Sequence, residues 1–225
     1  MKIILAGGGR AGLSVAVHLS GAGHAVTLID KDGDVAKLAF EAHGIVSLTG
    51  DGTDPRLLAA AEVDKCDVVV AMLPRDADNL AVAALSKRAG AKRIMVRVKE
   101  ESYRALYAAS GVDRIISETD VFIGALATAI EHESVRTSMF LGNGTAVAFE
   151  LTVPPDSHAA GRTVSSLATS EGFPTSCVFA GIYDASWQVH APRGGSVVDA
   201  GATILLVARR SEISTVIDFF MRSAT

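Results

Sequence analysis

Short apolar runs that suit strands buried on both faces alternate along the first half of the chain with stretches of helical periodicity. The strand-like runs are Lys2 to Ala6, His24 to Ile29, Ile45 to Leu48, Asp67 to Leu73, Arg93 to Val98 and Arg114 to Ile116. Between them the spacing predicts helices over Leu13 to Leu19, Asp34 to Ala42, Pro55 to Ala61, Asn79 to Ala89 and Ser102 to Ser110. Their ends are punctuated as helix ends should be: Asp54-Pro55 opens one, and Gly90 and Gly111 follow two others. This alternation predicts an α/β unit with a six-stranded, doubly wound parallel sheet that closes near Glu118. The pattern then changes. Asp120 to Val135 reads as one long helix, and Gly142-Asn143-Gly144 as a turn or hinge. Beyond it come strands at Ala146 to Val153, Cys177 to Tyr183 and Thr203 to Ala208, with helices at Val164 to Ser170 and Ile213 to Met221. The expected organisation is residues 1–118 as a nucleotide-binding domain, 119–144 as a linking or dimerisation helix and hinge, and 145–225 as a small α+β lobe.

Composition narrows the picture. With 49% of 225 residues hydrophobic and 20% charged, the chain has ample core-forming material. A formal net charge of −4 gives no footing for non-specific attraction to nucleic acid or anionic lipid. No apolar run approaches the roughly 18 residues a membrane span needs, and the first residues read as a strand rather than a secretory signal. The expectation is a cytoplasmic protein that meets a membrane only through a protein partner. Cys66 and Cys177 stand far apart in the chain without Cys or His at metal spacing, which predicts buried, reduced thiols.

Gly7, Gly9 and Gly12 fall where the first strand gives way to the first helix. A glycine turn in that place lets backbone approach a phosphate and aims unpaired helix N–H groups at the anion. Asp30 ends the second strand roughly 20 residues further on, where a carboxylate accepts from ribose hydroxyls; the run Asp30-Lys31-Asp32-Gly33 also reads as a solvated turn. Together these predict a Rossmann-type nucleotide fold. Gly50-Asp51-Gly52-Thr53 follows the third strand, which places an acidic side chain where a base would lie and where an adenine amino group can donate to it. The second lobe offers little for proton transfer. His158 and His190 are flanked by turn-like sequence with no carboxylate or Cys at catalytic or ligand spacing, and His132 lies between Glu131 and Glu133 on a solvated face. A nucleotide sensor is therefore favoured over a catalyst, with a small NAD-dependent oxidoreductase as the competing class.

The combination Gly7-Gly8-Gly9-Arg10-Ala11-Gly12, Asp30, Gly50-Asp51-Gly52-Thr53, Asp78-Asn79, Arg97 and Gly111 to Glu118 resembles the regulator of potassium conductance (RCK) family, specifically its Trk/Ktr-type potassium uptake subunits. Pro154 to Leu167 and Pro192 to Val207 extend the resemblance into a C-terminal ligand-sensing lobe. It implies a non-catalytic regulator that assembles as dimers and then rings, commonly octameric, beneath a membrane potassium channel or transporter. ATP, ADP or AMP would occupy the site, with NAD(H) as another occupant. The implied contacts are Gly7, Gly9, Arg10, Ala11, Gly12, Asp30, Lys31, Asp51, Gly52 and Arg97. Arg10 would meet the terminal phosphate, and Glu118 would hold Mg or another cation there, although it also reads as an N-terminal acid of the long helix. Regulation of a different ion transporter is a further alternative. The strand that reads Ala180-Gly181-Ile182-Tyr183 lacks the arginine that some relatives use for cyclic di-AMP, so that ligand is not implied. The small residues Gly124, Ala125, Ala127 and Thr128 suggest a helix face for close approach of a partner subunit, with packing within the chain as the alternative.

Overall fold

A computed structural model describes residues 1–142, 144–184 and 186–224, with Thr119, Asp120 and Val121 described by their backbone alone. The chain divides into two compact units, Met1–Glu118 and Thr119–Thr225.

In the first unit β1 (Lys2–Ala6), α1 (Arg10–Gly21), β2 (Ala25–Asp30), α2 (Gly33–His43), β3 (Val46–Thr49), α3 (Pro55–Ala60), β4 (Val68–Ala71), α4 (Asp76–Arg88), β5 (Ile94–Val98), α5 (Arg104–Ala109) and β6 (Arg114–Ser117) follow in turn. All neighbouring strands are parallel in the order β3-β2-β1-β4-β5-β6, the doubly wound Rossmann arrangement. The near-continuous apolar strands follow from burial on both faces. Ile4 and Ala6 of β1 join Ile29, Val69, Val82, Ile94 and Tyr107 on one side, while Leu5 joins Ala16, Leu28 and Ala39 on the other. Asp32 and Asp54 cap α2 and α3 by accepting from Asp34 N–H and Arg56 N–H, and Gly44 ends α2 in the left-handed region. The strand order reverses between the neighbours β1 and β4, whose following connections leave toward opposite faces of the sheet, and this opens a crevice at the ends of those two strands.

The second unit contains α6 (Glu118–Glu131), whose first residue is the last of the first unit, then β7 (Val135–Leu141), β8 (Ala146–Thr152), β9 (Arg162–Thr163), α7 (Val164–Ala168), β10 (Val178–Tyr183), β11 (Val189–His190), β12 (Val197–Val198), β13 (Thr203–Arg209) and α8 (Ile213–Met221). Its main sheet is antiparallel in the order β11-β10-β13-β8-β7. Phe149, Leu151, Ile204, Leu206, Val216, Phe219 and Phe220 form its core, with α8 packed by a wholly buried aromatic pair.

One expectation changes here. The long helix stops at Glu131, and Val135 begins a strand. Val135 N–H donates to His132 O across the turn, and β7 then pairs along β8 through a bulge between Val135 and Thr137. The β-branched alternation of Val135 to Leu141 is satisfied by that cross-strand pairing, which local helical periodicity does not register. Gly142 and Gly144, both at positive φ, turn β7 back into β8; Asn143 lies outside the described residues. On the small face of α6, Gly124 and Thr128 take the alternative of packing within the chain. A Cβ on Gly124 would stand 2.6 Å from Phe140 Cδ2, and Thr128 is buried with its hydroxyl donating to Gly124 O. These two residues therefore seat β7 within the same unit, and the face of α6 left outward is bulky and apolar: Phe122, Ile123, Leu126 and Ile130.

Candidate functional site: the glycine loop and the strand ends around it

The four loop glycines are held by different constraints. Gly7 lies at φ +107, and a Cβ there would come within 2.7 Å of Met72 O, so it permits β1 to pass close beside the end of β4. A Cβ on Gly8 would meet Val35 Cγ1 at 2.7 Å, and one on Gly12 would lie 1.9 Å from Gly7 O. Both are fixed by packing of the loop on itself and on α2. Gly9 differs, because nothing lies within 4 Å of its Cβ position and the residue is exposed. It is the N-cap of α1, a cap with no side-chain hydrogen bond, in a helix with no acidic residue in its first turn. The orphan N–H groups of that turn and the partial positive charge of the helix end thus face the open side of Gly9 uncompensated. This is a cradle for an anion.

Arg10 and Ala11 open the same helix, and among the described residues no hydrogen bond or ion pair engages the Arg10 guanidinium, which is exposed. Asp30, at the end of β2, accepts from Gly8 N–H through Oδ2 at 2.5 Å and from Asp32 N–H through Oδ1 at 2.8 Å. It braces the loop and also makes the turn; each oxygen keeps a lone pair for a ribose hydroxyl. Lys31, next in that turn, is exposed, and its charge helps to lower the Asp51 carboxyl. Asp51 Oδ1 accepts from Thr53 N–H and Thr53 Oγ1, and the Thr53 backbone bond is the main cause that holds its carboxyl below the usual range. Gly52 is buried against Ala6 and Leu73, so the loop after β3 is pinned beside the glycine turn with Asp51 outward.

The far side of the crevice is built by Asn79 and Arg97, both part of the family resemblance, and by Asp76, to which the sequence assigns no role. Asn79 is 1% exposed. Its Oδ1 accepts from Leu73 N–H at 2.7 Å, and its Nδ2 donates to Leu73 O and to Arg97 O. Arg97, one of the implied contacts, is mostly buried: its side chain is 15% exposed, with Nη2 donating to Leu73 O and Nη1 to Glu118 Oε2, both at 2.9 Å. Its Nε is buried without a protein acceptor. Asp76, 4% exposed, accepts from Lys99 N–H, Glu100 N–H and Tyr107 Oη, and the Tyr107 phenol is pushed well above its usual range, chiefly by burial and then by that carboxylate. No periodicity marks these residues; the family resemblance picks out Asn79 and Arg97, and for Asp76 the signal is an acid that opens a helix just after a strand.

Glu118 is the counter-ion of Arg97. Among the described residues no group of three or more His, Cys, Asp or Glu side chains is placed to hold a metal ion, so the donors present do not form a cation site by themselves. His190 departs from expectation: its Nε2 lies 2.7 Å from Asp184 Oδ2, and this contact, with Ser186 bonds, pulls the Asp184 carboxyl far down. The pair is exposed, and Asp184 also accepts from Gln188 N–H, so it ties the β10–β11 hairpin. His158 packs edge-on against Phe219 and approaches Arg222 O. Cys66 and Cys177 are buried.

The TrkA-N domain model matches residues 3–118, which includes every element of this crevice. The chain belongs to the TrkA-N family. The TrkA-C domain model matches residues 148–221. The chain is 31% identical over 175 residues to the Trk system potassium uptake protein TrkA of Vibrio alginolyticus, which covers 76% of this chain and 38% of that one. It is 26% identical over 214 residues to the TrkA homolog of Methanothermobacter thermautotrophicus, with 95% and 96% covered. It thus spans well under half of the first relative and nearly all of the second. Among solved structures, the GsuK RCK domain superposes with a TM-score of 0.66 at 17% identity, over 99% of this chain and 48% of that one. A GsuK channel bound to NAD gives 0.68 at 18%, over 99% and 40%. The RCK fold is shared from end to end. Among the described residues no helix is long and apolar enough to cross a membrane.

Proposed function

We propose that this chain is a nucleotide-sensing regulatory subunit, without catalytic activity of its own, that acts on a membrane potassium transporter of Trk type. The observation that carries the reading is Gly9: the one loop glycine with open space at its Cβ position, at the uncapped end of α1. Its relatives' names, Trk system potassium uptake proteins, supply the process. In this reading the chain is cytoplasmic, reaches the membrane through its transporter, and works as a dimer within a larger ring.

The loop N–H groups hold the phosphates of an adenine nucleotide, Asp30 accepts from the ribose while it braces Gly8, and Asp51 receives the base amino group. ATP, ADP and AMP differ only in charge and reach, so discrimination falls to a cation that has no counter-ion. Arg10 fits that role better than Arg97, whose guanidinium is already divided between Leu73 O and Glu118. A metal ion at the phosphates would have to draw Glu118 away from Arg97. NAD(H) would occupy the same loop, and one structure of similar fold is a GsuK channel bound to NAD. Gating requires differential affinity: a tenfold preference of ATP for one assembly state supplies about 1.4 kcal/mol per site.

Calorimetric titration of wild type and Arg10→Ala with ATP, ADP, AMP and NADH tests the site. In the variant ATP should weaken by about tenfold to a hundredfold, the loss of one charge-assisted bond of about 1.5–3 kcal/mol, while AMP changes little. Undiminished preference for ATP over AMP in Arg10→Ala would show that the phosphate is read elsewhere. Turnover of a nicotinamide cofactor with any substrate would return the chain to the oxidoreductases.

A further inference from the structure

A cavity of about 300 Å³ lies wholly within the second unit, lined by the end of α6 (Ala127, Thr128, Glu131, His132), Phe140 of β7, Val147 of β8, Arg210, and Ile213 and Ser214 at the start of α8. That volume is at the lower end of small-molecule sites, which run from roughly 300 to 1,000 Å³. Its walls are of two kinds. Phe140, Val147, Ala127 and Ile213 make an apolar floor. The Phe140 ring is fixed in place because it fills the space a side chain at Gly124 would take. The Arg210 guanidinium lies over that ring, 4.7 Å from its centroid, and its backbone N–H is tied to Thr145 O. Stacking on an aromatic face restrains a guanidinium while it leaves the N–H edges free for a ligand.

The charges on this cavity are of opposite sign and are not spent on each other. Among the described residues no ion pair or hydrogen bond engages the side chain of Arg210 or of Glu131. An Arg and a Glu that share one cavity without closing on each other present a cationic and an anionic pole above an apolar floor. The complement of that arrangement is a small zwitterion with an apolar side chain. A simple anion would satisfy Arg210 and be repelled by Glu131, and a simple amine would suffer the reverse. We propose that this cavity is a binding site for an apolar α-amino acid, with its carboxylate on Arg210, its ammonium on Glu131 and its side chain over Phe140 and Val147. His132 and the Ser214 hydroxyl complete the polar rim. The site is separate from the glycine loop and does not depend on how that loop is used.

The test uses the full chain and three probes of matched shape: L-leucine, 3-methylbutylamine, which lacks the carboxylate, and 4-methylpentanoate, which lacks the ammonium. Titration by calorimetry, or by chemical-shift changes at the Phe140 and Ser214 amides, should show L-leucine bound at least about tenfold more tightly than either analogue, since each loses a charge-assisted contact. Arg210→Gln should bring leucine down to the level of the amine, Glu131→Gln should bring it down to the level of the acid, and Arg210→Lys should restore part of the affinity. Unchanged thermal unfolding of the variants separates lost contacts from lost fold. If Arg210→Gln does not fold, the three probes on wild type still decide the matter. Equal affinity for leucine and 4-methylpentanoate would make this a plain anion site and overturn the proposal; so would the absence of leucine binding at millimolar concentration.

Discussion

Exchanging Gly9 and Gly12 for alanine, one at a time, separates a glycine kept for the ligand from one kept for the fold. At Gly12 the added Cβ would lie 1.9 Å from Gly7 O and 3.3 Å from Leu5 Cδ2, so α1 must move away from the loop it follows. Overpacking of this kind costs about 1–3 kcal/mol or more, a large share of the roughly 5–15 kcal/mol that holds a domain together. At Gly9 nothing stands within 4 Å, and the backbone, φ −56 and ψ 176, suits any residue. Alanine is a poorer N-cap than glycine, by up to about 1 kcal/mol. The unfolded chain also loses freedom, which returns about 0.4–1 kcal/mol. The two nearly cancel. The methyl group nonetheless occupies the space in which a phosphate approaches the backbone, and loss of one charged-group bond there is about 1.5–3 kcal/mol, a tenfold to hundredfold drop in affinity. Urea unfolding and calorimetric titration with ATP, run on both variants, should therefore diverge: Gly9→Ala stable but poor at binding, Gly12→Ala destabilised. Wild-type ATP affinity in Gly9→Ala would refute the assignment of that open space to the phosphate.

Asn79→Ala should cost about 1–3 kcal/mol of stability by urea unfolding, because Leu73 N–H loses its acceptor in a buried setting, while a surface substitution such as Arg56→Ala stays within about 0.5 kcal/mol. Equal effects would remove Asn79 as the tie between the ends of β4 and β5. Burial pushes the Cys177 thiol up to about 12, and Cys66 is raised for the same first reason. A thiol with a raised folded pKa adds stability that is complete below its unfolded value of about 8.5 and is lost as pH climbs from there toward 12. Thermal midpoints should thus fall over that alkaline window, less steeply in Cys177→Ala, and native protein at pH 8 should resist a thiol reagent until it is unfolded; rapid labelling of both cysteines in the folded state would contradict the burial.

Much of the first unit was legible because its determinants are local. Strands buried on both faces need continuous apolar runs, glycine is demanded where backbone meets backbone, and both signals lie within a few residues of one another at Lys2–Ala6 and Gly7–Gly12. Order along the chain then fixes a parallel doubly wound sheet, with Asp30 and Gly50 to Thr53 at the strand ends beside the loop. Tertiary structure decided what depends on distant partners. It made Arg97 a mostly buried bridge from Leu73 to Glu118, and it gave Asp30 the glycine loop to brace. It ended the long helix at Glu131 and made a strand of Val135 to Leu141, a stretch whose sequence reads as helix only at Val135 and as no element beyond it, because pairing with β8 satisfies a whole row of backbone groups that helical periodicity cannot count. It also turned Gly124 inward onto Phe140 and buried Thr128, leaving Phe122, Leu126 and Ile130 outside. A helix's spacing says which residues share a face; only the packing of the rest of the chain says which face is covered.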